Sequence, residues 1–132
     1  MNVPDVPSGA RVLAVGIDVV AVERFAASLA RTPALAGRLF TAREQVTATG
    51  HPRGAASLAA RFAVKEAAAK ALGVPAGMDW HDCQVISENS GRPTLEVTET
   101  VAAAAAAIGV TGWRISVSHD AGIAAAVVIA LG

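Results

Sequence analysis

The chain has 132 residues, which suits a single domain, and 53% of them are hydrophobic. Eleven basic and eleven acidic side chains give a formal net charge of zero, which argues against a general nucleic-acid-binding protein, because such proteins carry a basic excess. A lone cysteine, Cys83, excludes an intramolecular disulfide, and no apolar run reaches the roughly 20 residues of a membrane helix. We therefore expect a cytoplasmic protein that contacts neither nucleic acid nor membrane.

The predicted elements follow one another irregularly along the chain. Residues 1–10 are expected to be a flexible lead-in to a domain over residues 11–132. Apolar periodicity, capping signals and Gly or Pro breaks predict a buried strand over Val12–Val20, a helix over Val22–Ala30, a short helix from a capping box at Thr41 to about Gly50, a long helix over Gly54–Leu72, strands over Cys83–Ser87 and Thr94–Val97, a helix over Glu99–Ile108, and a closing hairpin of Trp113–Ser118 and Ile123–Ile129. Because strands and helices do not alternate regularly, we expect an α+β fold, a sheet with helices packed on it.

Alanine makes up much of the predicted core. The chain contains 31 alanines, and each buries little apolar area. A domain of this length also leaves about a third of its unfolded surface exposed after folding. Contacts between subunits would add to so small a core, and we expect an oligomer.

Two carboxylates occupy unusual positions. Asp18 ends the buried apolar strand, where an ionised carboxylate is costly without a metal or a charged partner. Glu66 lies midway along the long helix and shares a helix face with Lys70. Each has a structural alternative: Asp18 suits the N-cap of the following helix, and Glu66 with Lys70 suits an exposed ion pair.

Two turns carry further polar side chains. His119 lies in the predicted hairpin turn, and Arg92 lies in the turn Gly91–Pro93; both are also ordinary turn residues. The chain lacks a P-loop, a dinucleotide-binding glycine motif, an HExxH zinc motif and a GxSxG nucleophile elbow. Two carboxylates with scattered cations and no dedicated nucleophile indicate metal-assisted phosphoryl transfer, in which positioning and charge neutralisation carry most of the catalysis.

Five segments, in this order, together resemble the holo-acyl-carrier-protein synthases, the short bacterial type of 4′-phosphopantetheinyl transferase. They are Val15-Gly16-Ile17-Asp18-Val19-Val20 with Glu23-Arg24-Phe25, Phe40-Thr41 with Glu44, Arg61-Phe62-Ala63-Val64-Lys65-Glu66-Ala67 with Lys70-Ala71-Leu72-Gly73, Gly91-Arg92-Pro93, and Ser116-Val117-Ser118-His119. The resemblance extends from about Val12 to the C-terminus, and the segments are specific as a set. It implies a homotrimer with sites at the subunit interfaces.

The resemblance also implies an activity in fatty-acid biosynthesis: transfer of 4′-phosphopantetheine from coenzyme A to a serine hydroxyl of apo acyl carrier protein, which leaves adenosine 3′,5′-bisphosphate. By the same resemblance Asp18 and Glu66 would bind Mg²⁺ with pyrophosphate oxygens of coenzyme A, Lys70 would lie near the phosphates, and Glu66 or a water that it orients would accept the serine proton. Further implied contacts with coenzyme A are Arg61, Lys65, Gly73, Gly91, Arg92, Pro93, Ser118 and His119. Arg24 and Arg31, on the helix after the first strand, would bind the acidic carrier protein.

Two other classes of protein remain open from the sequence. A non-catalytic module that binds coenzyme A or carrier protein would keep the fold without the metal pair, and the presence of both Asp18 and Glu66 argues against it. A small metal-dependent phosphohydrolase would cleave coenzyme A without an acceptor.

Overall fold

A computed structural model describes residues 6–88 and 90–132 of the chain. The elements are β1 (Val12–Ala21), α1 (Val22–Arg31), α2 (Leu35–Leu39), a 3₁₀ turn (Arg43–Gln45), α3 (Ala55–Ala71), a second 3₁₀ turn (Trp80–Asp82), β2 (Cys83–Ser87), β3 (Pro93–Val97), α4 (Glu99–Ala107), β4 (Gly112–Asp120) and β5 (Ile123–Leu131). The predicted α+β class is confirmed. Within the described ranges, no helix combines the length and the apolar character needed to cross a bilayer. The first five residues of the predicted lead-in lie outside the described residues.

The strands form two antiparallel sheets. One has three strands in the order β1–β5–β4, and the other is the hairpin of β2 and β3. The first and last strands of the chain are therefore neighbours, and Asp18 pairs with Ala126 in the register between them. Helix α3 packs across the three-stranded sheet and is buried on most of its circumference. Small residues in the sheet, above all Gly16, Ala124 and Ala126, allow this close approach.

The second face of the three-stranded sheet points away from α3. On β1 this face carries Val15, Ile17 and Val19, whose side chains are 52%, 59% and 59% exposed. The pairing register places Val127 beside Ile17 and Ile129 beside Val15 on the same face. One side of the sheet thus covers the core, while the other presents an apolar strip on the surface of the subunit.

The hairpin of β2 and β3 closes the other side of the core. Cys83 and Val85 on β2 pack with Val64 and Ala68 of α3 in one buried cluster. Cys83 is fully buried, and burial raises the pKa of its thiol to about 12. The cysteine is therefore an apolar core residue.

The structure differs from the predicted elements in three places. The helix expected from Thr41 is only the 3₁₀ turn Arg43–Gln45, although the capping box forms: the Thr41 N–H donates to Glu44 Oε1 at 3.1 Å, and the Glu44 N–H donates to Thr41 Oγ1 at 3.4 Å. The five-residue helix α2 was not predicted. The closing strands are longer than expected, so that His119 pairs with Ala124 inside the hairpin and does not lie in its turn.

Candidate active site

An open pocket of about 400 Å³ lies where β1, α1 and α3 meet. Asp18 reaches it from β1, Arg24 and Ser28 from α1, and Glu66 and Lys70 from α3. Its apolar wall includes Phe25 and Phe62, whose rings stack with their centroids 5.2 Å apart. The fold therefore brings together the three residues that were predicted to be catalytic, although Asp18 and Glu66 are 48 positions apart in the sequence.

Asp18 and Lys70 form an ion pair in this pocket. The Lys70 ammonium donates to Asp18 Oδ1 at 2.7 Å and to the carbonyl oxygen of Ile17 at 3.1 Å. The hydrogen bond to Asp18 raises the pKa of Lys70. The alternative reading of Asp18 as an N-cap is wrong, because the N-cap of α1 is Ala21 and no side chain caps that helix end.

Glu66 lies next to this ion pair and is partly buried. Burial raises the pKa of its carboxyl group, the negative charge of Asp18 raises it further, and Lys70 opposes both effects. Asp18 and Glu66 are thus electrostatic neighbours in one pocket. Residues 6–88 and 90–132 contain no cluster of three or more His, Cys, Asp or Glu side chains suited to a metal. Two carboxylates alone suit Mg²⁺, which takes one or two protein carboxylates and fills its other positions with water and phosphate oxygens.

A second, basic pocket of about 190 Å³ contains Arg43, Arg53 and Arg61. Arg61 is nine-tenths buried and donates from Nη2 to Ser87 Oγ at 3.0 Å. The Nε atoms of Arg53 and Arg61 are buried without a hydrogen-bond partner in the described part of the chain. Burial, and then the charge of Arg53, lower the pKa of Arg61 to about 10. Guanidinium groups that repel each other and have unused donors form a suitable site for an anion.

Arg61 was predicted as a contact from the sequence, whereas Arg53 was not. Arg53 precedes α3 in a loop, and no local pattern distinguishes it from an exposed loop arginine. A hydrogen bond from the Arg53 N–H to the Gln45 carbonyl oxygen at 2.9 Å holds the loop beside the 3₁₀ turn. This tertiary contact helps to place its guanidinium beside that of Arg61.

Lys65 does not reach either pocket. Its side chain is fully buried, and its ammonium donates to Glu44 Oε1 at 2.7 Å and to the Trp80 carbonyl oxygen at 2.9 Å. Glu44 is equally buried, and its other oxygen accepts the Val85 N–H at 3.0 Å. This position does not support the predicted contact between Lys65 and coenzyme phosphates. Lys65 instead ties α3 to both 3₁₀ turns, and Glu44 extends the link to β2.

The remaining predicted contacts lie away from the Asp18 pocket. Gly91, Arg92 and Pro93 form the tight end of the β2–β3 hairpin, where Gly91 has a φ of +83°. Ser118 and His119 lie near the end of β4, and Gly73 follows α3. In the described part of one subunit, none of these six residues lines the pocket. Of the two predicted carrier contacts, Arg24 lines the pocket, whereas Arg31 is exposed in the last turn of α1.

Comparison with known proteins places this fold and pocket in a family. The family model of the 4′-phosphopantetheinyl transferase superfamily matches residues 14–128. The holo-acyl-carrier-protein synthase of Streptomyces coelicolor is 64% identical, over 92% of this chain and 98% of that protein. The synthase of Salinispora arenicola is 60% identical, over 90% and 98%.

A solved structure agrees with this assignment. The Helicobacter pylori holo-acyl-carrier-protein synthase, crystallised in complex with coenzyme A, superposes with a TM-score of 0.76 and 28% identity, over 88% of this chain and 98% of that one. The resemblance deduced from the five segments is thereby confirmed. The chain belongs to the holo-acyl-carrier-protein synthase family of the 4′-phosphopantetheinyl transferase superfamily.

Proposed function

We propose that this enzyme transfers 4′-phosphopantetheine from coenzyme A to a serine hydroxyl of apo acyl carrier protein. A bond forms between the serine oxygen and the pantetheine-linked phosphorus, the pyrophosphate P–O bond breaks, and adenosine 3′,5′-bisphosphate leaves. The observation that carries the proposal is the convergence of Asp18, Glu66 and Lys70 in one open pocket of a chain that is up to 64% identical to named synthases.

We further propose that Asp18 and Glu66 hold Mg²⁺. The fit rests on two carboxylates, which are hard oxygen donors, lining the same pocket. When bound, the ion neutralises negative charge on the pyrophosphate oxygens. Lys70, whose ammonium already lies at Asp18, would bind the same phosphates from the helix side.

Glu66 is our candidate for the group that accepts the serine proton, directly or through a water. Burial raises the pKa of its carboxyl group, and a carboxylate with a raised pKa is a stronger base. The stacked rings of Phe25 and Phe62 line the same pocket and give it an apolar wall.

The basic pocket provides a place for a second phosphate of the donor. Coenzyme A carries a 3′-phosphate in addition to its pyrophosphate, and Arg53 and Arg61 offer buried, unused donors. Arg61 lies one and a half turns before Glu66 on α3, so that a single coenzyme molecule lying along this helix would reach both pockets. We propose the basic pocket as this second phosphate site.

We also propose that the enzyme is a homotrimer with its active sites at the subunit interfaces. The apolar strip of Val15, Ile17 and Val19 is more exposed than a lone subunit would favour. Val19 of this strip also lines the pocket, so that a subunit packed on the strip would lie close to the pocket. Gly73, Gly91, Arg92, Pro93, Ser118 and His119, which lie outside the pocket of their own subunit, would then contact coenzyme A bound at a neighbour.

The carrier protein is proposed to dock on α1 beside the pocket. Arg24 lines the pocket itself, and Arg31 is exposed about two turns further along α1. The positive charge would attract the acidic carrier and would be screened by salt. We also propose that residues 11–132 form the transferase domain. The enzyme would act in fatty-acid biosynthesis and would be located in the cytoplasm.

Mass spectrometry of an apo carrier protein tests the function. Incubation with coenzyme A, Mg²⁺ and this protein should add one phosphopantetheine to the carrier. Asp18→Asn and Glu66→Gln should each slow the transfer by more than about 100-fold, since loss even of an outer-shell group at a metal site costs about 10- to 100-fold. Glu99→Gln, on the exposed first turn of α4, is the matched control and should transfer normally.

The same assay separates the alternatives. Binding of coenzyme A without any mass gain on the carrier would favour a non-catalytic binding module. Release of adenosine 3′,5′-bisphosphate without a carrier would favour a phosphohydrolase. Normal transfer by Asp18→Asn or by Glu66→Gln would refute the proposed metal site.

A further inference from the structure

We propose that Lys70 is the resident counter-cation of Asp18 in the coenzyme-free enzyme, and that the metal ion binds tightly only after the phosphates of the coenzyme have drawn Lys70 away. Lys70 would then be a positioning residue that sets the order of binding: coenzyme A makes the metal site available. The inference rests on the proposed metal site and adds a role for the side chain that lies closest to it.

Asp18 is held closely by Lys70 in the coenzyme-free structure. Its side chain is only 14% exposed, and the Lys70 ammonium bonds to Oδ1 at 2.7 Å, the short distance of a charge-assisted hydrogen bond. A second bond to the Ile17 carbonyl oxygen at 3.1 Å holds the ammonium in place. A divalent ion bound through either oxygen of Asp18 would lie within a few ångströms of this ammonium and would be repelled by it.

Lys70 also balances the negative charge of the pocket. Asp18 and Glu66 bring two negative charges to one pocket, and the ammonium of Lys70, hydrogen-bonded to Asp18, offsets their repulsion. Lys70 therefore supplies, in the coenzyme-free protein, part of the positive charge that a metal ion would bring. Removal of the lysine leaves two carboxylates without that compensation, and such a pair attracts a divalent cation more strongly.

The side chain of Lys70 is free to move away from Asp18. Its side chain is 49% exposed and lies in the last turn of α3, so that its flexible stem can swing without disturbing packed residues. The chain's other lysine, Lys65, has no such freedom because it is fully buried in its pair with Glu44. The phosphates of coenzyme A offer Lys70 a partner of higher charge than one carboxylate. Binding of coenzyme and binding of metal should therefore promote each other, and by thermodynamic reciprocity they do so equally.

Direct metal binding tests the inference without turnover. Mn²⁺ serves as the probe, and the electron paramagnetic resonance signal of free Mn²⁺ reports how much is bound to the coenzyme-free protein. Lys70→Met should bind Mn²⁺ about tenfold more tightly than the unmodified enzyme, the order expected for loss of one competing charge-assisted hydrogen bond. Lys70→Gln, which keeps a polar side chain, should show the same direction.

Two control variants fix the cause. Arg24→Met removes one positive charge from the same pocket, and no hydrogen bond joins Arg24 to Asp18 among the described residues; its Mn²⁺ affinity should stay within about twofold of the unmodified enzyme, since the charge is lost without freeing a ligand. The double variant Asp18→Asn with Lys70→Met should lose the increase in Mn²⁺ affinity that Lys70→Met alone shows. An equally large increase in Mn²⁺ affinity in Arg24→Met would show a general effect of charge. It would overturn the proposal that Lys70 has to be displaced from Asp18.

A second titration, with coenzyme A present and no carrier, completes the test. Mn²⁺ bound by coenzyme A alone is subtracted from a titration without protein. Coenzyme A should raise the Mn²⁺ affinity of the unmodified enzyme by a larger factor than that of Lys70→Met. Equal affinities of the two coenzyme-free proteins would overturn the displacement while leaving the metal site intact. Absence of Mn²⁺ binding to the unmodified enzyme even with coenzyme A would refute the metal site itself, and the displacement with it.

Discussion

Gly16 on β1 lies directly against the carbonyl oxygen of Ala67 on α3, so closely that a Cβ atom at Gly16 would stand 1.8 Å from that oxygen. The other nearest atoms, the Ala67 carbonyl carbon and the Ala71 nitrogen, also belong to the helix backbone and cannot turn aside. Asp18 lies two residues further along the same face of β1, and Glu66 precedes Ala67. This contact sets the distance between the strand and the helix that carry the two carboxylates.

Gly16→Ala should force β1 and α3 apart. We expect the free energy of unfolding, measured with urea, to fall by about 1–3 kcal/mol, the usual cost of overpacking. Transfer activity should fall further than the remaining folded fraction explains, because the carboxylates separate. Gly37→Ala is the matched control: a Cβ there meets nothing within 4 Å, and alanine favours helix α2. Unchanged stability and activity of Gly16→Ala would contradict the close contact.

The buried pair of Glu44 and Lys65 should behave as a unit. Lys65→Met leaves a buried carboxylate without its partner, and we expect a loss of about 3–5 kcal/mol of unfolding free energy. The double variant Glu44→Gln with Lys65→Met keeps an acceptor for the Val85 N–H and should regain most of that loss. Denaturant unfolding of the single and double variants measures the coupling. Strictly additive losses would count against a shared pair.

The folding stability and the Mn²⁺ affinity of the enzyme should both depend on pH through Glu66. Burial, and next the charge of Asp18, raise its pKa, so that the folded protein holds this proton to higher pH than the unfolded chain does. Its contribution to stability is therefore fully present below the unfolded pKa and is lost as pH rises through the folded pKa. Metal binding needs the ionised form, so Mn²⁺ affinity should fall on acidification at a pH above the ordinary glutamate pKa.

A comparison with Glu66→Gln isolates this group. The difference in unfolding free energy between the unmodified enzyme and Glu66→Gln should change with pH across the window between the unfolded and the folded pKa. Glu99→Gln, which removes an exposed carboxylate on α4, is measured in the same way as the control. Identical pH profiles for the two variants would argue against a shifted Glu66.

Arg61 should contribute to the binding of coenzyme A and not to the chemical step. Arg61→Met removes buried donors from the basic pocket, and we expect the KM for coenzyme A to rise by about 10- to 100-fold with kcat little changed. Dephospho-coenzyme A, which lacks the 3′-phosphate, should be used almost equally by both proteins. Arg11→Met, an exposed arginine before β1, is the control. A fall in kcat at constant KM would place Arg61 elsewhere in the reaction.

The apolar strip on β1 should hold the subunits together. Val15→Glu places a charge on this face beside Ile129 and should reduce the mass measured by sedimentation from three chains to one. Transfer activity should fall with assembly, since the proposed sites are interfacial. Ile108→Glu changes a comparably exposed apolar residue after α4 and should leave the mass unchanged. A trimer that survives Val15→Glu would exclude the strip as the interface.

The sequence predicted those parts of the molecule that carry a strong local signal. The helix α3 and the strands β1, β2 and β3 begin and end within about two residues of their predicted bounds, because Gly and Pro breaks and apolar runs mark them. Asp18 was found because a carboxylate at the end of an apolar strand is anomalous. Helix α2 was missed because five residues are too few for a periodic pattern.

The side chains whose positions depend on tertiary contacts were harder to predict. Lys65 is adjacent to Glu66 in the sequence, but successive helix residues are rotated by about 100°, so that Lys65 faces the core while Glu66 faces the pocket. Arg53 becomes part of a basic pocket only after its loop has folded back against the 3₁₀ turn. Both outcomes depend on how elements pack, which short motifs do not encode.

The enclosure of Cys83 has a practical consequence for work in solution. Its sulfur is shielded from solvent and carries a pKa of about 12, so that at neutral pH it offers alkylating reagents neither access nor thiolate. Labelling of this thiol therefore reports how often the native structure opens, without any introduced probe. A cysteine introduced on the surface would react first, and fluorophores or crosslinkers can be attached there while the native thiol stays in place.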